Sequence, residues 1–278
     1  MFKLVLRMSR SIYPLCLMPV LAARLLAHDL YIFPDAFNVV SKTKLQVAFH
    51  NGDSFPQSEV APTIARLKEA QLRFASATIA IQDLKVDGKR AVGTVQAPAG
   101  SGNLLLSVHT APNFIELAPD KFLAYLKEEG LSEVIDWRAK HDETRKPGRE
   151  RYSKFAKSLI VSGAPDDFYR TPLGFPIEIV PEENPYSLHS GARLPVRVLF
   201  RGKPAAGLQL EAAWSDSGKS KTTVIGRTDT EGRIRVPLTA AGKWRLHSLL
   251  MERCPRQGTE PAAADWESFW ASLTFEVK

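Results

Sequence analysis

Short apolar runs separated by turn residues recur from His28 to Ala111. They are Leu30 to Phe33, Lys44 to Phe49, Ala77 to Ile81, Arg90 to Gln96 and Asn103 to His109. Lys44-Leu45-Gln46-Val47 alternates polar and apolar positions, as does Arg90 to Val95, the period-two pattern of strands with one face on a core. Asn51-Gly52, Asp87-Gly88 and Ser101-Gly102 supply turns between them. Residues 28–115 are therefore expected to form a β-sandwich, with a weak helical pattern at residues 62–72.

The period changes across residues 116–165. Pro119 suits a first helical turn, Phe122, Tyr125 and Leu126 fall on one face, and Gly130 is a stop. Ser132 to His141 predicts a second short helix and Glu150 to Ile160 a third, with Pro147-Gly148 between them. Residues 175–278 return to short strands, expected at 177–180, 194–200, 208–214, 222–227, 233–238, 243–250 and 268–277. Turn signals recur at Arg201-Gly202-Lys203-Pro204, Ser217-Gly218, Glu231-Gly232 and Ala241-Gly242. The expected fold is mainly β: two immunoglobulin- or transthyretin-like β-sandwich regions with a short helical insertion between them.

Residues 1–27 read as a secretory signal peptide. Lys3, Arg7 and Arg10 form a positive start, and Ile12 to Ala23 is an apolar stretch interrupted by Pro14 and Pro19. Small residues follow, ending at Ala27. The stretch is short for a membrane span, which needs about 20 apolar residues. Cleavage after Ala27 is one possibility, and cleavage after Ala22 or Ala23 is another. The expected location is the periplasm, with no stable membrane anchor after cleavage.

This leader changes the meaning of the charge. The chain carries 37 Lys and Arg against 30 Asp and Glu, a formal net charge of +7. Lys3, Arg7, Arg10 and Arg24 lie in the leader, which has no acid. The remaining balance is close to neutral and argues against a nucleic-acid partner, whose binding rests on many phosphate contacts. Cys16 also lies in the leader, so Cys254 is left without an internal disulfide partner.

Several phrases resemble a family of exported bacterial proteins known as a domain of unknown function. They are His28-Asp29-Leu30-Tyr31, the run from Lys121 to Leu131, the run from Gly148 to Lys154, the run from Leu173 to Pro181, and the run from Asp265 to Phe275. Members are often described as similar to periplasmic components of nickel or cobalt uptake. The resemblance implies a metal-binding or metal-delivery role beside an inner-membrane metal transporter. Where members often carry a His-Met pair, this chain has Leu250-Met251, with His247 three residues before Leu250.

His28 is the first candidate metal ligand. If cleavage follows Ala27, its α-amine and its own Nδ1 can close a chelate on Cu(II) or Ni(II), ions that suit nitrogen donors in a tetragonal arrangement. His50 ends an expected strand before the Asn51-Gly52-Asp53 turn, and His109 ends another, so His28, His50 and His109 could meet at one rim of a sandwich. His247 lies inside an expected strand, where a half-buried histidine with a hydrogen-bond partner is the competing reading. His141 and His189 are expected to be exposed. No His-x-x-x-His or Cys-x-x-Cys spacing accompanies these residues.

Enzyme signatures are scarce. There is neither a Gly-x-Ser-x-Gly elbow nor a phosphate-binding loop. Glu178, Asp265 and Glu267 are the carboxylates considered for a glycosidase pair. Alternation places Glu178 on the outer face of its strand, Asp265 reads as a loop terminator, and Trp266, Phe269 and Trp270 read as packing residues. The leading expectation is thus a non-catalytic periplasmic protein that binds or delivers Ni(II), Co(II) or Cu(II) through His28, His50, His109 and His247. The alternatives are an exported β-sandwich adhesion or assembly module without metal and, last, a carbohydrate-active enzyme.

Overall fold

The computed structural model describes residues 28–75, 77–255 and 264–278, so the expected signal peptide lies outside the described residues. The elements of the first part are β1 (Leu30–Pro34), β2 (Asn38–Val39), β3 (Lys44–Asn51), β4 (Leu67–Phe74), β5 (Ala77–Ala80), β6 (Gln82–Asp87), β7 (Arg90–Gln96), β8 (Gly102–Thr110) and β9 (Asn113–Leu117). Then come α1 (Pro119–Glu128), α2 (Ser132–Lys140) and β10 (Gly148–Ser162). The last part holds β11 (Ile177–Pro181), β12 (Arg193–Phe200), β13 (Lys203–Pro204), β14 (Gln209–Asp216), β15 (Lys219–Arg227), β16 (Arg233–Pro237), β17 (Gly242–Arg253) and β18 (Trp266–Val277).

One ten-stranded sheet runs through the molecule in the order β15-β14-β17-β18-β10-β8-β4-β5, with β2 and β9 also paired to β10. Two smaller sheets stack on it, β1-β3-β7-β6 and β11-β12-β13 with β16. The side chains of β10 show how. Phe155 and Leu159 join a core with Ile177, Val196, Leu246 and Leu273, while Ala156 and Ile160 join another with Ile32, Phe49, Leu104 and Leu106. Residues of opposite parity point to opposite faces of a strand, so the small sheets cover opposite faces of the shared one. The result is the mainly β, sandwich-like architecture that alternation predicts.

The third expected helix, Glu150 to Ile160, is instead part of the 15-residue strand β10. Burial on both faces removes the polar-apolar alternation by which a half-exposed strand is recognised. Likewise the weak helical pattern at 62–72 resolves into a single 3-10 turn, Ile64–Arg66, running into β4. The two other helices are present. Phe122, Tyr125 and Leu126 of α1 pack with Leu131 and Val134 over Leu249, Trp266 and Trp270 of the large sheet. Gly130, at φ +68°, ends α1, and the Leu131 N–H returns to the Leu126 carbonyl at 2.8 Å. No helix among the described residues is long and apolar enough to cross a membrane.

On β17 and β18 four polar residues, Arg245, His247, Ser272 and Thr274, have the opposite parity to the residues in the β11-β12 core and face away from it. Ser272 and Thr274 donate to the carbonyls of Leu30 and Ile32, both at 2.6 Å. Arg245 and His247 lie opposite Thr274 and Ser272 in register. This polar stripe meets the beginning of β1 and positions the candidate site.

A candidate cation site at the start of the first strand

The loop from Asn51 to Val60 folds back over β1. Asn51 accepts from the Glu59 and Val60 N–H groups at 3.0 and 3.2 Å, and Tyr31 Oη donates to the Gln57 carbonyl at 2.8 Å. A Cβ on Gly52 would lie 2.7 Å from the Gln57 carbonyl oxygen and 3.0 Å from the Glu59 nitrogen, so this crossing needs glycine. The fold-back brings Asp53 and Glu59 to His28.

His28 Nδ1 lies 3.2 Å from Asp53 Oδ2 and 3.5 Å from Glu59 Oε2. Each carboxylate uses its other oxygen on the backbone. Asp53 Oδ1 accepts from the Asp29 N–H at 3.4 Å, and Glu59 Oε1 accepts from the Asp53 and Ser54 N–H groups at 3.1 and 3.2 Å. Burial would raise the Glu59 carboxyl, but those two N–H groups and His28 outweigh it and hold it below its ordinary range. The three ligand atoms lie within 4.8 Å of one another. Donors about 2.1 Å from one ion sit about 3.0 Å apart at right angles and about 3.4 Å apart at a tetrahedral angle. The His28–Asp53 and His28–Glu59 spacings fit such angles, and an N/O donor set of this kind suits a borderline divalent cation. The side chains of His28, Asp53 and Glu59 are 20%, 30% and 35% exposed, so an ion can reach them.

Beneath this group is a buried ionic network. Asp29 accepts from His247 Nδ1 at 2.9 Å and from Arg245 at 3.0 Å. His247 Nε2 meets Glu129 at 3.0 Å, and Arg245 meets Glu211 at 2.8 Å. Burial alone would push the imidazole of His247 down, but Asp29 and Glu129 hold it well above its ordinary range, so it is an imidazolium with both nitrogens donating. Burial would likewise raise Asp29, yet His247 and Arg245 hold its carboxyl at about 2. Lys154, buried on β10, donates to the His28 carbonyl and, at 3.0 Å, to Asn51 Oδ1. Burial pulls its ammonium down to about 8, against the pull of Asp29. These contacts orient His28 from behind, as outer-shell partners do at metal sites. Asp29, Asp53, Glu129, Glu211, Arg245 and His247 also line an adjoining cavity of about 330 Å³.

The four candidate histidines take different places. His28 forms the group just described, and His247 lies behind it through Asp29, the residue that follows His28 in the chain. His50 is buried against Tyr31 and Phe33; its Nδ1 donates to the Pro56 carbonyl at 3.1 Å, and burial pulls the imidazole down to about 4. His109 sits between Phe155 and Phe175, where burial also pulls it down. The ligand group contains neither His50 nor His109; the three rim histidines do not meet in it. His141 and His189 are exposed.

The reading of Glu178 is corrected as well. It is buried, 2.9 Å from Lys157 Nζ, and accepts from the N–H groups of Leu173, Gly174 and Phe175 at 2.7–2.9 Å. It faces inward because β11 is covered on both faces. Asp265 pairs with Arg149 and Glu267 with Arg151, at 2.8 and 2.7 Å. Trp266 and Trp270 pack under the helices and Phe269 in the β11-β12 core, the packing role expected of them.

Sequence reasoning passed over Asp53 and Glu59 as ligands. The usable signal was the tight Asn51-Gly52 turn between His50 and two acids six residues apart.

A family model described as a domain of unknown function (DUF4198) matches residues 25–252. None of the curated proteins is similar to the chain in sequence. Among solved structures, the Yersinia pseudotuberculosis adhesin InvE is similar at 12% identity and TM-score 0.22, over 89% of this chain and 58% of that one. The Escherichia coli adhesin FdeC is similar at 13% identity and TM-score 0.25, over 91% and 66%. The D0-D1 domain of intimin is similar at 13% identity and TM-score 0.21, over 90% and 99%.

Proposed function

The chain belongs to the DUF4198 family, and from that premise we propose that it is an exported, non-catalytic β-sandwich protein that binds a divalent transition-metal ion through His28, Asp53 and Glu59. The observation that carries the reading is the convergence of one imidazole nitrogen and two carboxylate oxygens, each carboxylate steered by backbone N–H groups on its other oxygen. Export rests on the basic and apolar leader from Lys3 to Ala27. Nickel, cobalt and copper are the candidate ions, and delivery to an inner-membrane importer is the role that the sequence resemblance suggests.

A second reading has its own support. The His28 imidazole between Asp53 and Glu59 also ties the start of β1 to the loop, a structural triad that an assembly module without metal would use. Calorimetric titration with Ni(II), Co(II) and Cu(II) separates the two. Micromolar or tighter binding of at least one ion, weakened at least tenfold by Asp53→Ala combined with Glu59→Ala, supports the metal site. Affinities no better than millimolar for all three ions overturn it in favour of the structural triad.

A further inference from the structure

We infer that hydrolysis of the Ala27–His28 peptide bond completes this site, adding the α-amine of His28 as a fourth ligand and tuning the site to Cu(II) or Ni(II); this deepens, and rests on, the metal-binding reading above. The argument starts from which ring nitrogen faces the acids. It is Nδ1, at 3.2 and 3.5 Å from the carboxylate oxygens. Nδ1 is the ring nitrogen from which a metal closes a six-membered chelate with the backbone nitrogen of the same residue, through Cγ, Cβ and Cα. The other side of His28 is already held. Its carbonyl accepts from buried Lys154, and the next N–H, of Asp29, donates to Asp53. The residue is fixed on its C-terminal side, with its imidazole presented toward the two acids.

A neutral peptide nitrogen is a poor donor, because its lone pair is delocalised into the carbonyl, and it binds a metal only at the cost of losing its proton. Hydrolysis changes that. Water adds across the Ala27–His28 bond: its hydroxyl goes to the Ala27 carbonyl carbon, its remaining hydrogen to the His28 nitrogen, and the product is a primary amine. Three ligand atoms then become four, in an N2O2 set. Nitrogen and oxygen donors in a tetragonal arrangement are those of Cu(II) and Ni(II), with Cu(II) bound more tightly in the general order of divalent-ion affinities. The cleavage position therefore matters. Cutting after Ala22 or Ala23 leaves His28 inside a peptide and the site at three ligands.

The test compares two preparations that both contain every described element, one beginning at His28 and one at Ala23. Each is titrated with Cu(II) and Ni(II) against a competing chelator, and the Cu(II) forms are read by electron paramagnetic resonance for the number of coordinating nitrogens. The chain beginning at His28 is expected to bind Cu(II) about 100-fold more tightly, the low end of what intramolecular linkage of a second donor gives. Its spectrum should report two nitrogens against one for the longer chain. Asp53→Ala in the His28-terminal chain should remove most of the affinity, which separates a built site from chelation by any terminal histidine. Equal affinities with one nitrogen in both chains overturn the inference and leave the metal-binding reading standing. Affinity unchanged by Asp53→Ala overturns the inference, since chelation by the terminus alone then accounts for it. Binding by neither chain overturns both readings.

Discussion

The buried pair Lys157–Glu178 carries a sharp prediction about what holds the two halves together, because Lys157 belongs to β10 and Glu178 to β11. Their side chains are 3% and 2% exposed, and their charged atoms are 2.9 Å apart. Glu178 has four donors: Lys157 Nζ and the N–H groups of Leu173, Gly174 and Phe175. The two single truncations should therefore differ. Glu178→Ala leaves a buried ammonium and three backbone N–H groups without their acceptor, and should cost about 3–5 kcal/mol. Lys157→Met removes the cation but leaves the carboxylate its three N–H donors, so its cost should be about 1–3 kcal/mol. In the double variant no unpaired charge remains, and its cost should fall below the sum of the singles by more than about 1 kcal/mol. Urea unfolding of the three variants and the parent, read from the midpoint and slope, measures all of this. The reasoning is refuted if Lys157→Met costs as much as Glu178→Ala, or if Glu178→Ala costs less than about 1 kcal/mol.

Further outcomes follow from individual contacts. A Cβ on Gly148 would lie 2.1 Å from Cγ of buried Phe122, so Gly148→Ala should overpack the helix–sheet core, cost about 1–3 kcal/mol or more, and lower the melting temperature. Burial raises the Glu150 carboxyl from its ordinary 4.5 to about 7, against hydrogen bonds from Ser268 and Tyr125. A raised folded value stabilises fully below the unfolded one and is lost as pH rises through about 7; Glu150→Gln should thus gain on the parent by up to roughly 3 kcal/mol between pH 5 and pH 8 in parallel denaturation curves. Asp29→Ala takes from buried His247 and Arg245 the carboxylate they share, leaving each with one anionic partner, Glu129 or Glu211, and should cost about 3 kcal/mol by urea unfolding. The more exposed pair Arg149–Asp265 is the contrast: Asp265→Ala should change stability by less than about 1 kcal/mol.

Apolar runs bounded by turn residues located many of the strands. Arg90–Gln96 coincides with the observed β7, and the strands expected in residues 175–278 match β11, β12 and β14 to β18 to within a few residues. A strand covered on both faces loses its alternation, and without flanking turn residues close by it can be mistaken for a helix. In β10 the apolar residues Phe155, Ala156, Leu159 and Ile160 serve two cores, and their spacing of one, three and four mimics a helical stripe. Glu178 was misplaced for the same reason. Alternation assigns a polar residue to the outer face, whereas a covered strand can turn its carboxylate inward when a lysine and three N–H groups are waiting there. The three-part division of the chain was equally blind to pairing across it: β10 lies parallel to β18, with Glu150 opposite Trp266, a contact separated by more than a hundred residues.

The candidate site divides along the same line. His28 and His247 were legible because their residue type announces chemistry wherever it stands. Asp53 and Glu59 were not, because acids near a turn are common and only the fold-back at Gly52 makes them neighbours of His28. The acids also explain why the other histidines fall away. A histidine becomes a ligand candidate when anionic groups gather at an accessible nitrogen, as at His28. His50 has aromatic rings around it and spends Nδ1 on a carbonyl, and His109 lies between two phenylalanines. His247 has its anions, but both nitrogens are already committed to Asp29 and Glu129 in the interior. Its charge instead keeps Asp29 ionised and in place, next in the chain to the one histidine whose acids still have room for an ion.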